Sequence, residues 1–99
     1  MAARIAFAAR AQRDLEEIAD YLKTVNPAAV LPLVGKIERQ IGMLERHPHL
    51  GPSAPETDQL DMRKLSITPY IAYYRLRGDV VEIARVLHGA RDMTESLFE

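Results

Sequence analysis

Apolar positions along the chain change their period twice. In residues 3–8, Ile5 and Phe7 alternate with smaller or polar residues, which predicts a short strand. Over residues 9–24 the spacing becomes helical. Leu15, Ile18, Ala19 and Leu22 recur at i, i+3, i+4 and i+7 and form one apolar stripe. Asp14, Glu16, Glu17, Asp20 and Lys23 occupy the remaining faces. Val25-Asn26-Pro27 ends this helix, with Asn26 suited to cap the next and Pro27 to its first position. A second stripe, Val30, Leu33, Val34, Ile37, Ile41 and Leu44, predicts a helix over residues 27–46. Pro32 is expected to remove one hydrogen bond there and bend the helix near its start. Gly35 and Gly42 are expected to let a neighbour approach closely. The short Asn-Pro link makes the pair an antiparallel hairpin.

His47-Pro48 stops the second helix. Residues 48–61 hold three prolines, a glycine and three acids, and read as a loop. Beyond it the period falls to two. Strands are predicted at Met62–Ile67, Tyr70–Arg77 and Val80–His88, the first broken by Thr68-Pro69. Gly78-Asp79 is a two-residue hairpin turn with glycine at its first central position. That turn sets a register in which Arg77 opposes Val80, Leu76 Val81, Arg75 Glu82 and Tyr74 Ile83. One face then carries Tyr70, Tyr74, Leu76, Val81, Ile83 and Leu87 and packs on the helices. The other carries Ile71, Tyr73, Arg75, Arg77, Glu82 and Val86, a mixture uncommon on a solvated face. Arg85 falls on the core face, so either the strand bulges or the side chain reaches an edge. The predicted fold class is α+β: an N-terminal strand, then a two-helix antiparallel hairpin packed on an antiparallel sheet. A C-terminal three-stranded meander completes that sheet. Residues 1–99 form a single domain, and Leu97 and Phe98 in the polar tail are expected to dock on it.

Composition narrows the chemistry. There is no cysteine, which excludes a disulfide scaffold, a thiolate zinc site and a cysteine nucleophile. No apolar run reaches the roughly 20 residues of a membrane span, and no signal peptide is expected, so the reading is a cytoplasmic protein. A formal net charge of −1 argues against indiscriminate duplex binding. The charge is uneven, however. From Met62 to Arg91 the bases Arg63, Lys64, Arg75, Arg77, Arg85 and Arg91 face only Asp79 and Glu82, which suits an acidic partner.

Catalytic motifs are sparse. His47 and His49 flank a proline without the companions a metal site needs, so no metal and no cofactor is expected. Gly51 stands alone, and no serine has a nucleophile-elbow context. The basic set Arg63, Lys64, Arg75, Arg77, His88 and Arg91 can be read two ways. It can stabilise a phosphorane in metal-free RNA cleavage, with guanidinium groups meeting the developing charge and a histidine moving a proton. Alternatively, Arg75 pairs with Glu82 across the hairpin and the others are solvated or hold a partner's acids. Of the tyrosines, Tyr73 is the one placed for a surface contact.

The order and spacing of these segments resemble the RelE/ParE toxin superfamily. The resemblance is carried by Arg13-Asp14-Leu15-Glu16-Glu17-Ile18-Ala19-Asp20-Tyr21-Leu22 and by Leu44-Glu45-Arg46-His47-Pro48-His49-Leu50-Gly51. It continues through Arg63-Lys64-Leu65, Tyr70-Ile71-Ala72-Tyr73-Tyr74-Arg75 and Val86-Leu87-His88-Gly89-Ala90-Arg91-Asp92. The long hairpin and the Leu-His-Gly-Ala-Arg-Asp ending are similar to ParE-type toxins. RelE-type ribosome-dependent RNases usually carry denser bases and a C-terminal tyrosine or histidine, and here no tyrosine follows Tyr74.

The resemblance implies the toxin of a bacterial type II toxin–antitoxin pair that arrests growth by binding DNA gyrase, with no chemistry of its own. Its partners would be a ParD-like antitoxin and gyrase, with operator DNA reached only through the antitoxin. The alternative it implies is a ribosome-dependent mRNA endonuclease using His88, Arg91, Arg63 and Lys64. A third reading is a toxin fold that only binds its antitoxin and regulates transcription. For the antitoxin, the mixed sheet face offers Arg63, Ile71, Tyr73, Arg75, Val86 and Arg91. An acidic-hydrophobic segment is expected to cover that face. Sheet edges can accept an added strand, and the hairpin groove near Gly35 and Gly42 an amphipathic helix.

Overall fold

The first strand and the last lie side by side. In the computed structural model, which describes residues 3–89, β1 (Arg4–Phe7) pairs in parallel with β4 (Val80–His88). β4 in turn pairs antiparallel with β3 (Tyr70–Arg77), and β3 with β2 (Arg63–Ile67), giving the order β1-β4-β3-β2. Between β1 and β2 run α1 (Ala9–Val25) and α2 (Val30–Gly42), which form the hairpin covering one face of the sheet. The meander and hairpin are those the periodicity predicts. The parallel attachment of β1 has no local signature, since alternation marks a strand but not the edge it joins.

The helices differ from expectation at three points. The second opens with a 3₁₀ turn, Pro27–Ala29, so its α-helical part begins at Val30. Pro32 therefore sits in the first α-helical turn, where its missing N–H removes no intrahelical bond. Asn26 makes no side-chain cap; its backbone N–H donates to Leu22 O at 2.7 Å and its carbonyl accepts from Ala29 N at 2.9 Å. Gly35 and Gly42 admit no neighbouring element: a Cβ at Gly35 would meet only Arg39 of its own helix, and one at Gly42 would meet nothing.

Register in the β3–β4 hairpin runs as the Gly78-Asp79 turn predicts, from Arg77↔Val80 to Tyr74↔Ile83. Gly78 has φ +63°, the conformation a two-residue hairpin turn requires of that position. The next pair is Tyr73↔Arg85, so Ala84 is an extra residue and β4 bulges there. The bulge exchanges the faces of the residues that follow. Val86, expected on the outer face, lies in the main core and is 1% exposed. Leu87, expected in that core, packs on the outer face with Tyr73, Ala84, Ala54 and Met62.

The same bulge accounts for Arg85. β1 ends opposite Ile83, and α1 takes its place along the remaining edge of β4. Ala8 N donates to Ile83 O at 2.9 Å, and Val86 N donates to Asp14 Oδ2 at 3.0 Å. Arg85 lies against the same carboxylate in a two-point pair, Nε to Oδ2 at 2.7 Å and Nη2 to Oδ1 at 2.9 Å. Its side chain is 3% exposed and that of Asp14 7%. Asp14, expected on a solvated helix face, is thus the buried link between α1 and β4.

Candidate partner-binding surfaces

The basic residues of the sheet are held by the chain itself. After Gly51 the loop turns back along the outer edge of β2. Lys64 N donates to Pro52 O at 3.0 Å, Ala54 N donates to Met62 O at 2.9 Å, and Ser53 bridges Arg63. The loop then crosses the outer face. A 3₁₀ turn, Pro55–Thr57, brings Glu56 Oε2 to 2.9 Å from Lys64 Nζ and 3.4 Å from the Tyr73 hydroxyl. Next along the face, Arg75 donates from Nη1 to Gln59 Oε1 at 3.0 Å and from Nε to Glu82 Oε1 at 2.9 Å. Arg77 stands 3.6 Å from the same Glu82 oxygen.

Burial raises the Glu56 carboxyl, but its bonds from Lys64, the backbone and Tyr73 outweigh that and leave it below its ordinary value of 4.5. Burial, and then the Glu56 charge, pushes the Tyr73 phenol up. A carboxylate whose folded pKa is depressed contributes stability above its unfolded pKa and loses it as pH falls through the folded value. Glu56→Gln should therefore lower the urea midpoint at neutral pH, and the gap from the parent should close well below pH 4.5. A gap independent of pH would mean that the Glu56 charge does not anchor the loop.

These contacts revise the expected antitoxin face. Tyr73 is no surface residue, being 2% exposed beneath the loop, and Val86 faces the opposite side of the sheet. Arg63 turns away from the face, donating from Nη1 to Gly51 O at 2.7 Å and to His49 O at 3.3 Å. Ile71 and Arg75 remain half-buried on the outer side. Arg91 lies outside the described residues.

Nor do Lys64 and His88, two of the residues weighed for RNA cleavage, converge. Lys64 pairs with Tyr73, whereas His88 pairs with Tyr70, three positions along β3 or about 10 Å. β3 also stands between the strands that carry them. Lys64 faces the loop side. His88 lies on the helix side, its ring edge-on to that of Tyr70 with centroids 5.6 Å apart.

The hairpin does carry a groove, as expected, but neither Gly35 nor Gly42 is among the residues that line it. α1 and α2 are splayed, leaving an open cleft of about 280 Å³. Phe7, Leu15, Ile18, Leu22, Val30, Leu33, Val34 and Ile37 line it, with Glu38 at its lip. The apolar stripes read from the sequence are its walls, so they fill one another only in part. Val34 is 41% exposed and Leu31, on the outer side of α2, 80%. Among the described residues no three His, Asp or Glu side chains could share a metal ion, and no helix is long and apolar enough to cross a membrane.

Comparison with known proteins agrees with this architecture. The sequence profile of the ParE toxin of type II toxin–antitoxin systems, parDE, matches residues 5–93. The chain therefore belongs to the ParE family, the toxin component of type II toxin–antitoxin systems. No curated protein matches it significantly. Among solved structures it is similar to a chain of a chromosomal ParDE system from P. aeruginosa, with 24% identity and a TM-score of 0.74, covering 87% of this chain and 95% of that one. It is also similar to a chain of the RelBE2 toxin–antitoxin complex from Mycobacterium tuberculosis, with 24% identity and a TM-score of 0.64, covering 89% and 99% respectively.

Proposed function

We propose that this toxin acts by binding DNA gyrase and not by cutting RNA, and that a ParD-like antitoxin silences it. One observation carries the choice. Lys64 and Arg75, two of the cations weighed for a phosphorane, are already held by Glu56, Gln59 and Glu82, while His88 stands on the other face. Metal-free cleavage needs a proton-transfer group and charge-stabilising groups converging on one phosphate. The test is to add the purified chain to gyrase with relaxed plasmid, and in parallel to a translating extract with a labelled message. Lost supercoiling with an intact message is the expected result. Codon-positioned cleavage with supercoiling unaffected would overturn it.

The antitoxin is inferred to lay an amphipathic helix in the cleft between α1 and α2. Nearly every lining side chain there is apolar, and an open apolar surface of this kind favours a partner's i, i+3, i+4 side chains. Val34→Asp places a charge on the cleft wall at a half-exposed position. It should weaken antitoxin binding about tenfold or more, measured by titration calorimetry, while the thermal midpoint stays close to the parent's. Arg75→Glu tests the sheet face in the same assay. If Arg75→Glu abolishes binding and Val34→Asp does not, the sheet face is the docking surface.

A further inference from the structure

The geometry points to a second binding site, independent of the gyrase reading: a groove that takes an arginine side chain from a protein partner. It lies on the helix side, between α1 and the end of the sheet, and encloses about 400 Å³. Asp14, Glu17, Ile18, Tyr21, Tyr70 and His88 are among its walls. Asp14, Glu17 and Tyr21 follow one another at helical spacing, so one side of α1 supplies two carboxylates and a ring. Across the groove, Tyr70 and His88 stand edge to face, their rings inclined at 82°. Tyr21 is 64% exposed, so its ring is open to solvent at the groove.

The electrostatics select the ligand. Asp14 is neutralised by Arg85 and fully used by it and by the Val86 N–H. Among the described residues Glu17 has no ion-pair partner, and none of those lining the groove is a lysine or arginine. Among the described residues, what remains is the Glu17 carboxylate beside the exposed ring of Tyr21, whose face is negative. That combination attracts a cation that can be partly desolvated against rings. A guanidinium fits better than an ammonium, because its plane stacks on a phenol while its fork meets a carboxylate. A carboxylate or phosphate ligand would be repelled by Glu17.

The test uses the full chain and a probe of defined charge. Nα-acetylarginine amide is titrated while ring resonances of Tyr21, Tyr70 and His88 are followed by NMR. The citrulline analogue serves as a neutral isostere. Arginine amide should give saturable shifts confined to these rings, and citrulline should bind about fivefold more weakly or worse. Glu17→Gln should lose a similar factor for arginine and nothing for citrulline. Tyr21→Ala should weaken binding further; if that variant unfolds, Tyr21→Leu keeps the apolar bulk and removes the ring face. Equal shifts from arginine and citrulline, or an unchanged affinity in Glu17→Gln, would overturn the site. Arg91→Gln should leave the affinity unchanged. A several-fold gain in that variant would show that the chain's own Arg91 competes for the groove, which overturns the assignment to a partner.

Discussion

Asp14→Ala is expected to lower stability by about 3–5 kcal/mol, the scale for removing one member of a buried ion pair. In a domain of this size that moves the thermal midpoint by roughly 12 °C or more. The carboxylate meets three donors, Arg85 Nε, Arg85 Nη2 and Val86 N. Removing it leaves a guanidinium 3% exposed and a strand amide with no acceptor. An exposed pair such as Lys64–Glu56 would cost at most about 1 kcal/mol by comparison. Replacing both members by apolar residues of similar size, Asp14→Leu with Arg85→Met, should recover most of the loss. The deficit that stays, about 1–3 kcal/mol, belongs to the Val86 N–H. Urea unfolding of the single and the double variant measures each term. An unfolding free energy for Asp14→Ala within about 1 kcal/mol of the parent's would show that the pair is not the link between α1 and β4.

The second large effect is expected at Gly51, where the loop meets the edge strand β2. Its N–H donates to the buried Tyr74 hydroxyl at 2.8 Å, and its carbonyl accepts from Arg63 at 2.7 Å. A methyl group there would overlap the Lys64 carbonyl oxygen and stand 2.9 Å from Tyr74 Cε1 and Oη. Backbone on one side and a wholly buried ring on the other leave neither free to give way. Gly51→Ala should cost about 2–4 kcal/mol, from overpacking together with a strained or broken buried hydrogen bond. Tyr74→Phe, which keeps the volume, should cost only about 1–3 kcal/mol. The two variants also differ in the loop. With Gly51→Ala, the amides of Ala54 and Lys64 should exchange hydrogen much faster, because both bonds fasten the displaced segment. Unchanged exchange at these amides would mean the loop is held from Glu56 and Gln59 instead.

Much of this arrangement is legible in the chain, for identifiable reasons. The helical stripes and the Gly78-Asp79 turn are short-range signals, and both place their elements and four residue pairs of the hairpin correctly. The legibility stops at Ala84, because a one-residue bulge carries no local mark and inverts every face after it. Arg85 on an apolar face is the trace the bulge leaves in the sequence. Its partner could not be read, because Asp14 lies 71 positions away and resembles any other acid on a helix. The outer sheet face is illegible in the sequence for a related reason. Bases concentrated in β2 and β3 suggest an open cationic surface, but Glu56 and Gln59, from a loop with no periodicity, close over them.

The strand order has a consequence for how the toxin is made. β4 occupies the interior of the sheet, bonded to β1 on one side and β3 on the other, and it leaves the ribosome after every other described element. Until residues 80–83 emerge, β1 has no strand to join, and α1 cannot seat its buried carboxylate. Pairings this far apart in sequence close slowly. The toxin thus completes its sheet only once β4 has emerged, which leaves an interval in which an antitoxin already present can meet the new chain before its active form exists.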